Sequence, residues 1–184
     1  MILEELDRIK ARISDPGFLE NKGLSNEVGI HVFCYDPKDE LIVQDYVRRI
    51  KEETNVPFRI IERDLYEIFL ELLESKRVLK AASGVEEKRG KEYLLKQLQK
   101  VATPKAFLER MDYAPHVRGQ DVLFMTGIGK IHPFMRSHRM LDSMQAMFSD
   151  IPIVMFYPGS FNGQSLSLFD EFLDGHYYRA FNLL

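Results

Sequence analysis

Short apolar runs, each followed at once by a helix-capping residue and a helical pattern, constrain the fold of this chain more than any other feature. The first run, 28–35, is almost continuously apolar, as in strands that are covered on both faces of a sheet. Asp36 and Pro37 follow it, a capping carboxylate and a proline at the first helical position. The same order of strand and helix recurs from 58–62 and from 120–126. This repetition predicts an α/β fold: a single three-layer domain with a mostly parallel sheet and helices on both faces.

The pattern changes near the C-terminus. A fourth strand is predicted at 151–157, with Pro158 and Gly159 as its end. A short apolar stretch follows at 166–172, and 177–183 alternates like a terminal strand. Because no helix fits between these segments, a hairpin-like C-terminal end to the sheet is predicted.

The predicted helices include a basic helical insertion. Apolar residues at helical spacing predict helices at 3–13, 37–51, 64–73 and 133–148, and two or three more within 75–118. The segment 76–118 carries eleven basic and five acidic residues, an excess of six positive charges that leaves −9 on the rest of the chain. Such a lobe could contact nucleic acid or an acidic subunit, or be a solvated helix pair.

Composition excludes several classes of protein. A hydrophobic fraction of 45% and a charged fraction of 29% over 184 residues are typical of one globular domain, 1–184. The net charge of −3 gives no global signal for nucleic acid or an acidic membrane. Cys34 has no partner for an internal disulfide and is predicted to be a buried thiol. With neither a signal peptide nor a membrane span predicted, the expected location is the cytoplasm.

The glycine-rich turn at 127–130 lies between a strand and a helix, where phosphate-binding loops lie. A GxxxxGK[ST] loop needs glycine where this chain has Phe124, and a hydroxyl where it has Ile131. The dinucleotide fingerprint places its third glycine at His132. The sequence therefore favours a tight turn over a nucleotide site and predicts no cofactor.

Basic and titratable groups nevertheless gather after this turn. They are Lys130, His132, Arg136, His138 and Arg139. In open α/β sheets ligands bind at the carboxyl ends of the strands, and a helix beginning at Pro133 would add partial positive charge. An anion, a phosphate or an acidic partner surface fits this group, and so does a solvated positive face.

Catalytic and metal-binding patterns are incomplete. His132 and His138 are six residues apart, so they do not share a helix face as two metal ligands would. Ser160 lies one position too early for a G-x-S-x-G nucleophile elbow. No catalytic residue and no metal site is predicted, and the isolated histidines (His31, His116 and His176) are expected to be hydrogen-bonded structural residues.

Three blocks of the sequence carry a resemblance to a known family. They span 127–141, 151–169 and 177–181, and include Gly-x-Gly followed by Pro-Phe-x-Arg-Ser-His, and then Pro-Gly-x-x-x-Gly. In this order and spacing the chain resembles the BrxB family of BREX bacteriophage-defence systems. The resemblance covers nearly the whole chain and implies an α/β accessory protein with no catalytic residues to carry over.

The resemblance also implies the partners. It implies a non-enzymatic adaptor linking a large ATPase, a phosphatase-like protein and a DNA methyltransferase of the BrxC, PglZ and PglX types. DNA contact is then expected to be indirect, no membrane contact is expected, and self-association stays open. A nucleotide- or phosphate-binding enzyme or sensor using the 127–138 loop, and a DNA-binding module using the basic lobe, are the alternatives.

The residues themselves indicate where partners bind. Both specific blocks follow strands, whose carboxyl ends meet at one edge of a parallel sheet. The candidate partner- or anion-binding residues are Lys130, His132, Arg136, His138, Tyr157, Gly159, Asn162 and Gly163.

Overall fold

The computed structural model describes residues 1–22, 29–136, 138–173 and 180–184, without the side chains of His138, Asp142 and Gln145. The helices are α1 (Ile2–Ile13), α2 (Pro16–Leu19), α3 (Glu40–Lys51), α4 (Leu65–Ser75), α5 (Val78–Arg89), α6 (Lys91–Val101), α7 (Pro104–Met111), α8 (Ile128–Ile131) and α9 (His138–Met147), with a 3₁₀ turn at Pro37–Asp39 before α3. The strands are β1 (Ile30–Tyr35), β2 (Arg59–Asp64), β3 (Asp121–Thr126), β4 (Ile153–Phe161), β5 (Leu166–Leu168), β6 (Phe172–Leu173) and β7 (Phe181–Asn182).

Five strands form a parallel sheet in the order β2-β3-β4-β1-β7. In register, Ile30 lies opposite Ile153, and Arg59 lies opposite Asp121. β5 and β6 continue from the end of β4 as an antiparallel ribbon. The predicted mostly parallel sheet is confirmed, and its carboxyl ends lie along one rim.

Helices cover both faces of this sheet, because successive strand side chains point to opposite faces. α1 and α3 pack on one face, where Phe33 and Phe124 belong to the core. α4, α7, α8 and α9 pack on the other face around Val32 and Leu123. Full burial of such a side chain stabilises the fold by about 1.5–3 kcal/mol. The three-layer arrangement predicted from the alternating strands and helices is therefore confirmed.

The predicted end of the fourth strand is wrong. Pro158 and Gly159 do not end β4, which continues to Phe161. The carbonyl of Pro158 accepts a hydrogen bond from the Phe169 backbone N–H at 2.9 Å, and Gly159 pairs with Leu168. The strand continues because β5 supplies a partner that the local sequence does not reveal. The hairpin-like end is confirmed in this β4–β5 pairing.

The predicted helix at 133–148 also begins in the wrong place. Gly127 adopts a left-handed φ of +73°, and α8 begins directly after it, with the Ile131 N–H donating to the Gly127 carbonyl at 3.1 Å. α9 then begins only at His138. The helix terminus expected at Pro133 is therefore not present.

The two remaining predictions concern the C-terminal strand and the insertion. Of the predicted strand at 177–183, Phe181–Asn182 pairs in parallel with β1, and 174–179 lies outside the described residues. The region 75–118 contains α5, α6 and α7, and the predicted cap at Thr103 accepts from the Ala106 N–H at 3.3 Å. α7 belongs to the core, whereas every residue of α5 is at least partly exposed. None of the described helices has the length and apolar character needed to cross a membrane.

Candidate protein-docking site

The turn after β3 brings the two specific sequence blocks into contact. Gly129 lies in α8, one residue after Ile128, and a Cβ there would lie 2.9 Å from Pro158 Cγ and 3.0 Å from the Phe169 ring. Because a side chain does not fit in this space, the glycine lets α8 pack against the β4–β5 ribbon. The Gly-x-Gly block and the Pro-Gly block are therefore two sides of one packing contact.

The glycines and the asparagine of the second block build the ribbon itself. Gly159 has a φ of +147°, and a Cβ there would lie 2.0 Å from the Ser167 carbonyl oxygen. The Asn162 side-chain oxygen accepts hydrogen bonds from the N–H groups of Gln164 and Ser165 at 2.9 and 2.8 Å. Gly163 completes the turn with a φ of +88°. Three of the predicted binding residues thus have a structural role in the hairpin.

An open pocket of about 260 Å³ lies between this ribbon and the loop after α8. This rim pocket is lined by Ile128, His132, Met135, Arg136, Tyr157, Leu168, Glu171, Phe172 and Leu173. Three of the predicted residues, His132, Arg136 and Tyr157, therefore converge on one site. Phe172 and Leu173 form its outer wall with 47% and 67% of their surface exposed.

The rim pocket combines apolar walls with two charged groups. The His132 ring contacts the Phe172 ring at a centroid distance of 4.8 Å. Burial, and secondarily the charge of Arg136, lowers the pKa of His132, which favours the neutral form of its imidazole. Arg136 is exposed, and neither it nor Glu171 forms an ion pair with any described residue. The pocket can thus accept an apolar side chain and still offer one cation and one carboxylate that form no ion pair with a described residue.

Lys130 lies away from the rim pocket, on the side of the sheet that carries α3. It lines a second cleft of about 150 Å³ together with side chains such as Glu40 and Glu62. These carboxylates are engaged within the fold: Glu40 accepts from the Tyr35 hydroxyl at 2.6 Å, and Glu62 from the Thr126 hydroxyl at 2.9 Å. The predicted common surface is therefore divided in two. The side chain of His138 lies outside what the structure describes.

The same cleft bears on the phosphate-binding interpretation. A Cβ on Gly127 would lie 2.1 Å from Asp64 Oδ1, so a carboxylate lies directly beside the turn. Asp64 also caps α4, accepting from the N–H groups of Tyr66 and Glu67 at 2.8 and 3.2 Å. Negative charge at this position disfavours a phosphate, and α8 has only four residues. The nucleotide-binding alternative gains no support from this geometry.

The other titratable groups predicted as structural differ in their surroundings. His116 Nδ1 lies 2.7 Å from an Asp150 carboxylate oxygen, as expected of a hydrogen-bonded histidine. His31 is buried, as its strand predicted, but its Nδ1 has no partner among the described residues. His176 lies outside them. Cys34 was predicted to be buried but is only partly buried, and this burial raises the pKa of its thiol to about 12.

Metal binding can be judged for the described part of the chain. There, no three side chains of His, Cys, Asp or Glu come together in a way that could hold a metal ion.

Sequence reasoning missed the apolar walls of the rim pocket. Met135, Leu168, Phe172 and Leu173 were not among the predicted site residues, although they lie on three separate segments that meet here. The available signal was the apolar stretch at 166–172, which follows a turn-rich segment. Large apolar residues that stay exposed there indicate a contact surface.

Fold and pocket together define a class: a three-layer α/β protein with an open, partly apolar pocket at the carboxyl ends of its strands. The family model for BREX protein BrxB matches residues 61–183, about two thirds of the chain. The chain belongs to the BrxB family, and the resemblance predicted from its three blocks is confirmed.

Two relatives support this assignment over the full length. The chain is 39% identical over 189 residues to BREX protein BrxB of Bacillus cereus (strain H3081.97), covering 100% of this chain and 97% of that protein. It is 28% identical over 179 residues to BREX protein BrxB of Escherichia coli O9:H4 (strain HS), covering 97% and 90% respectively. None of the solved structures matches the chain.

Proposed function

We propose that this protein is a non-enzymatic assembly subunit of a BREX phage-defence complex in the cytoplasm, and that it binds another subunit through the rim pocket. The single observation that carries this proposal is the exposure of Phe172 and Leu173 beside an open pocket, where Arg136 forms no ion pair with a described residue. Large apolar side chains at such a position are characteristic of protein-binding surfaces. The expected subunits are the BrxC-, PglZ- and PglX-like proteins that the family resemblance implies.

The pocket's chemistry indicates what the partner presents. Its floor, formed by Ile128 and Leu168, is apolar, so an aliphatic or aromatic side chain fits inside. Arg136 stands at the pocket without an ion pair among the described residues, so a carboxylate next to that side chain would complete the contact. The occupant is therefore a partner segment with an apolar side chain, a carboxylate that meets Arg136 and a basic group that meets Glu171.

The test is co-purification of BREX subunits with the tagged protein from its host. Arg136→Glu and Leu173→Ser change exposed groups of the pocket, so we expect loss of partner recovery with a Tm close to that of the parent protein. Lys130→Glu is the matched control, because it makes the same charge change nearby but on the other side of the sheet. Full recovery with both pocket variants, or equal loss with Lys130→Glu, would contradict the proposal.

A second candidate function, DNA contact through the basic lobe, rests on the basic side chains of two helices, α5 and α6. Lys80, Lys88, Arg89, Lys91, Lys96 and Lys100 form no ion pair within the described residues. Binding through phosphates alone weakens steeply between about 50 and 200 mM salt. A mobility-shift titration over this range would show that dependence, and Lys88→Gln with Arg89→Gln should reduce its slope. No binding at 50 mM salt removes this candidate.

A further inference from the structure

A separate cleft of about 140 Å³ lies at the amino end of β1, whereas the rim pocket lies at the carboxyl ends of the strands. It is formed where the end of α1, the short α2 and the turn after it meet the first residues of β1. The lining side chains are Arg12, Asp15, Phe18, Asn21, Lys22 and His31. A water molecule occupies about 30 Å³ in the liquid, so the cleft has space for a small polyatomic ligand.

Buried polar atoms in this cleft lack partners. His31 is 4% exposed, and its Nδ1 has no hydrogen-bond partner among the described residues. Both side-chain polar atoms of Asn21 are buried and likewise have no hydrogen-bond partner in the part of the chain that the structure describes. A buried polar group left in this state costs about 1–3 kcal/mol. Three such atoms around one cavity indicate that a bound group satisfies them.

The backbone holds Asn21 in this position at a further cost. Asn21 has a left-handed φ of +53°, which is uncommon for a residue with a side chain. A Cβ at Gly29 would lie 2.2 Å from Asn21 Oδ1, so the glycine leaves the space that the amide occupies. The amide is thus placed in the cleft by two unusual local features rather than by a partner.

The charge of the cleft is predominantly positive. The Arg12 guanidinium lies 5.1 Å from the centroid of the Phe18 ring and forms no ion pair with a described residue. Lys22 adds a second cation, although Glu20 pairs with it at 2.5 Å. Asp15 is the one carboxylate of the lining, and its Oδ1 accepts from the Phe18 N–H at 2.9 Å. This arrangement favours the binding of an anion, because Arg12 supplies a positive charge and the side chains of His31 and Asn21 can donate hydrogen bonds.

From this geometry we propose that the cleft binds a small oxyanion that also carries a hydroxyl group, of which inorganic phosphate is the simplest example. Its negative oxygens accept hydrogen bonds from Arg12, from Asn21 Nδ2, and from His31 in the tautomer that carries the proton on Nδ1. Its hydroxyl donates a hydrogen bond to Asn21 Oδ1. An anion without a proton has no such donor and would leave this oxygen without a hydrogen bond. All three orphaned atoms then have partners.

The experiment uses the full chain with ¹⁵N-labelled histidine, titrated with inorganic phosphate at pH 7. We expect a saturable shift of the His31 ring signal, identified by its disappearance in His31→Phe, and a rise in Tm at saturation. Sulfate has the same shape but no proton at this pH, so it should bind about tenfold more weakly. The variant Arg12→Gln should weaken phosphate binding about tenfold or more.

Arg8→Gln is the matched control, since Arg8 lies one turn earlier on α1 and outside the cleft. It should bind phosphate as the parent protein does. A cleft that holds only water would give no saturable His31 shift, and this outcome overturns the proposal. So does unchanged binding in Arg12→Gln, or sulfate binding as strong as that of phosphate. Partner recovery through the rim pocket is unaffected by either result.

Discussion

The guanidinium of Arg59 and the carboxylate of Asp121 form a bidentate ion pair across β2 and β3, with N···O distances of 2.7 and 2.8 Å. The two residues are register partners at the amino ends of their strands. Asp121 is fully buried and also accepts from the Tyr113 hydroxyl at 3.1 Å and the Val117 N–H at 2.9 Å. One carboxylate therefore ties the edge strand β2 and the chain after α7 to the centre of the sheet.

Asp121→Asn should destabilise the protein by about 2 kcal/mol at pH 7, because a buried hydrogen-bonded charge is lost while Arg59 stays half-exposed. Burial alone raises the pKa of Asp121, but the hydrogen bonds from Arg59, Val117 and Tyr113 hold that pKa below its ordinary value. The carboxylate therefore stabilises the fold above pH ~4, and this contribution is lost as pH falls through the lower folded-state pKa. Urea unfolding at pH 7 and below pH 4 measures both effects. A difference between parent and variant that grows below pH 4 would contradict this account.

The β4–β5 pairing depends on a glycine. In Gly159→Ala the new Cβ would collide with the Ser167 carbonyl, so the strands must separate and the cost should be about 3 kcal/mol or more. Gly163→Ala is the control: its φ is also positive, but a Cβ there meets open space, so only the backbone strain of about 1 kcal/mol applies. The urea unfolding midpoints of the two variants measure these losses of stability, and the midpoint of Gly159→Ala should be the lower one. Equal losses would mean that the close approach of β5 is not what requires Gly159.

His31 makes stability depend on pH. Burial, and secondarily the charge of Arg12, lowers the pKa of His31 to about 4, below the ordinary value of about 6.5. Since the unfolded chain binds the proton more readily, stability is complete above pH ~6.5 and falls as pH decreases toward 4. The loss attributable to this residue is about 2–3 kcal/mol at pH 4.5. His31→Phe should remove it, as seen by comparing urea unfolding of both proteins at pH 7.5 and 4.5 in phosphate-free buffer. If the free energy of unfolding fell equally in the parent protein and in His31→Phe between pH 7.5 and 4.5, His31 would not be the source of this pH dependence.

Local patterns predicted the fold where the interactions are local. The apolar run before Asp36, and the caps at Asp64 and Thr103, place strands and helices within one or two residues of their observed positions. The predictions failed at Pro158, where pairing with β5 continues the strand, and at Pro133, where the left-handed turn at Gly127 starts a helix earlier. The first failure depends on a strand pairing outside the segment that ends at Pro158, whereas the second depends on a local backbone conformation that the helical pattern did not reveal.

The candidate site was predicted only in part for a similar reason. Lys130 and His132 are two residues apart in the sequence, yet they line clefts on different faces of the sheet because α8 ends between them. The direction of a side chain after a turn depends on helix boundaries, which are the least certain feature of a sequence reading. Phe172 and Leu173 join the pocket only through the pairing of β6 with β5. That pairing is a short hairpin across 169–171, which was not predicted from the sequence.

The helical insertion should open far more easily than the body of the protein. Every residue of α5 is at least partly exposed, whereas Phe107 and Met111 of α7 are fully buried. Amides protected only by helix formation exchange after local opening, but those under a core exchange only when the core opens. Amide hydrogen exchange of the isolated protein should therefore be fast across α5. In α7 the free energy of opening should approach the free energy of global unfolding. Protection of α5 equal to that of α7 would contradict this prediction. If the amides of α5 become protected when DNA is added, its basic side chains bind DNA phosphates, as the second candidate function requires. If they become protected only when a protein subunit is added, the basic lobe belongs to the assembly interface.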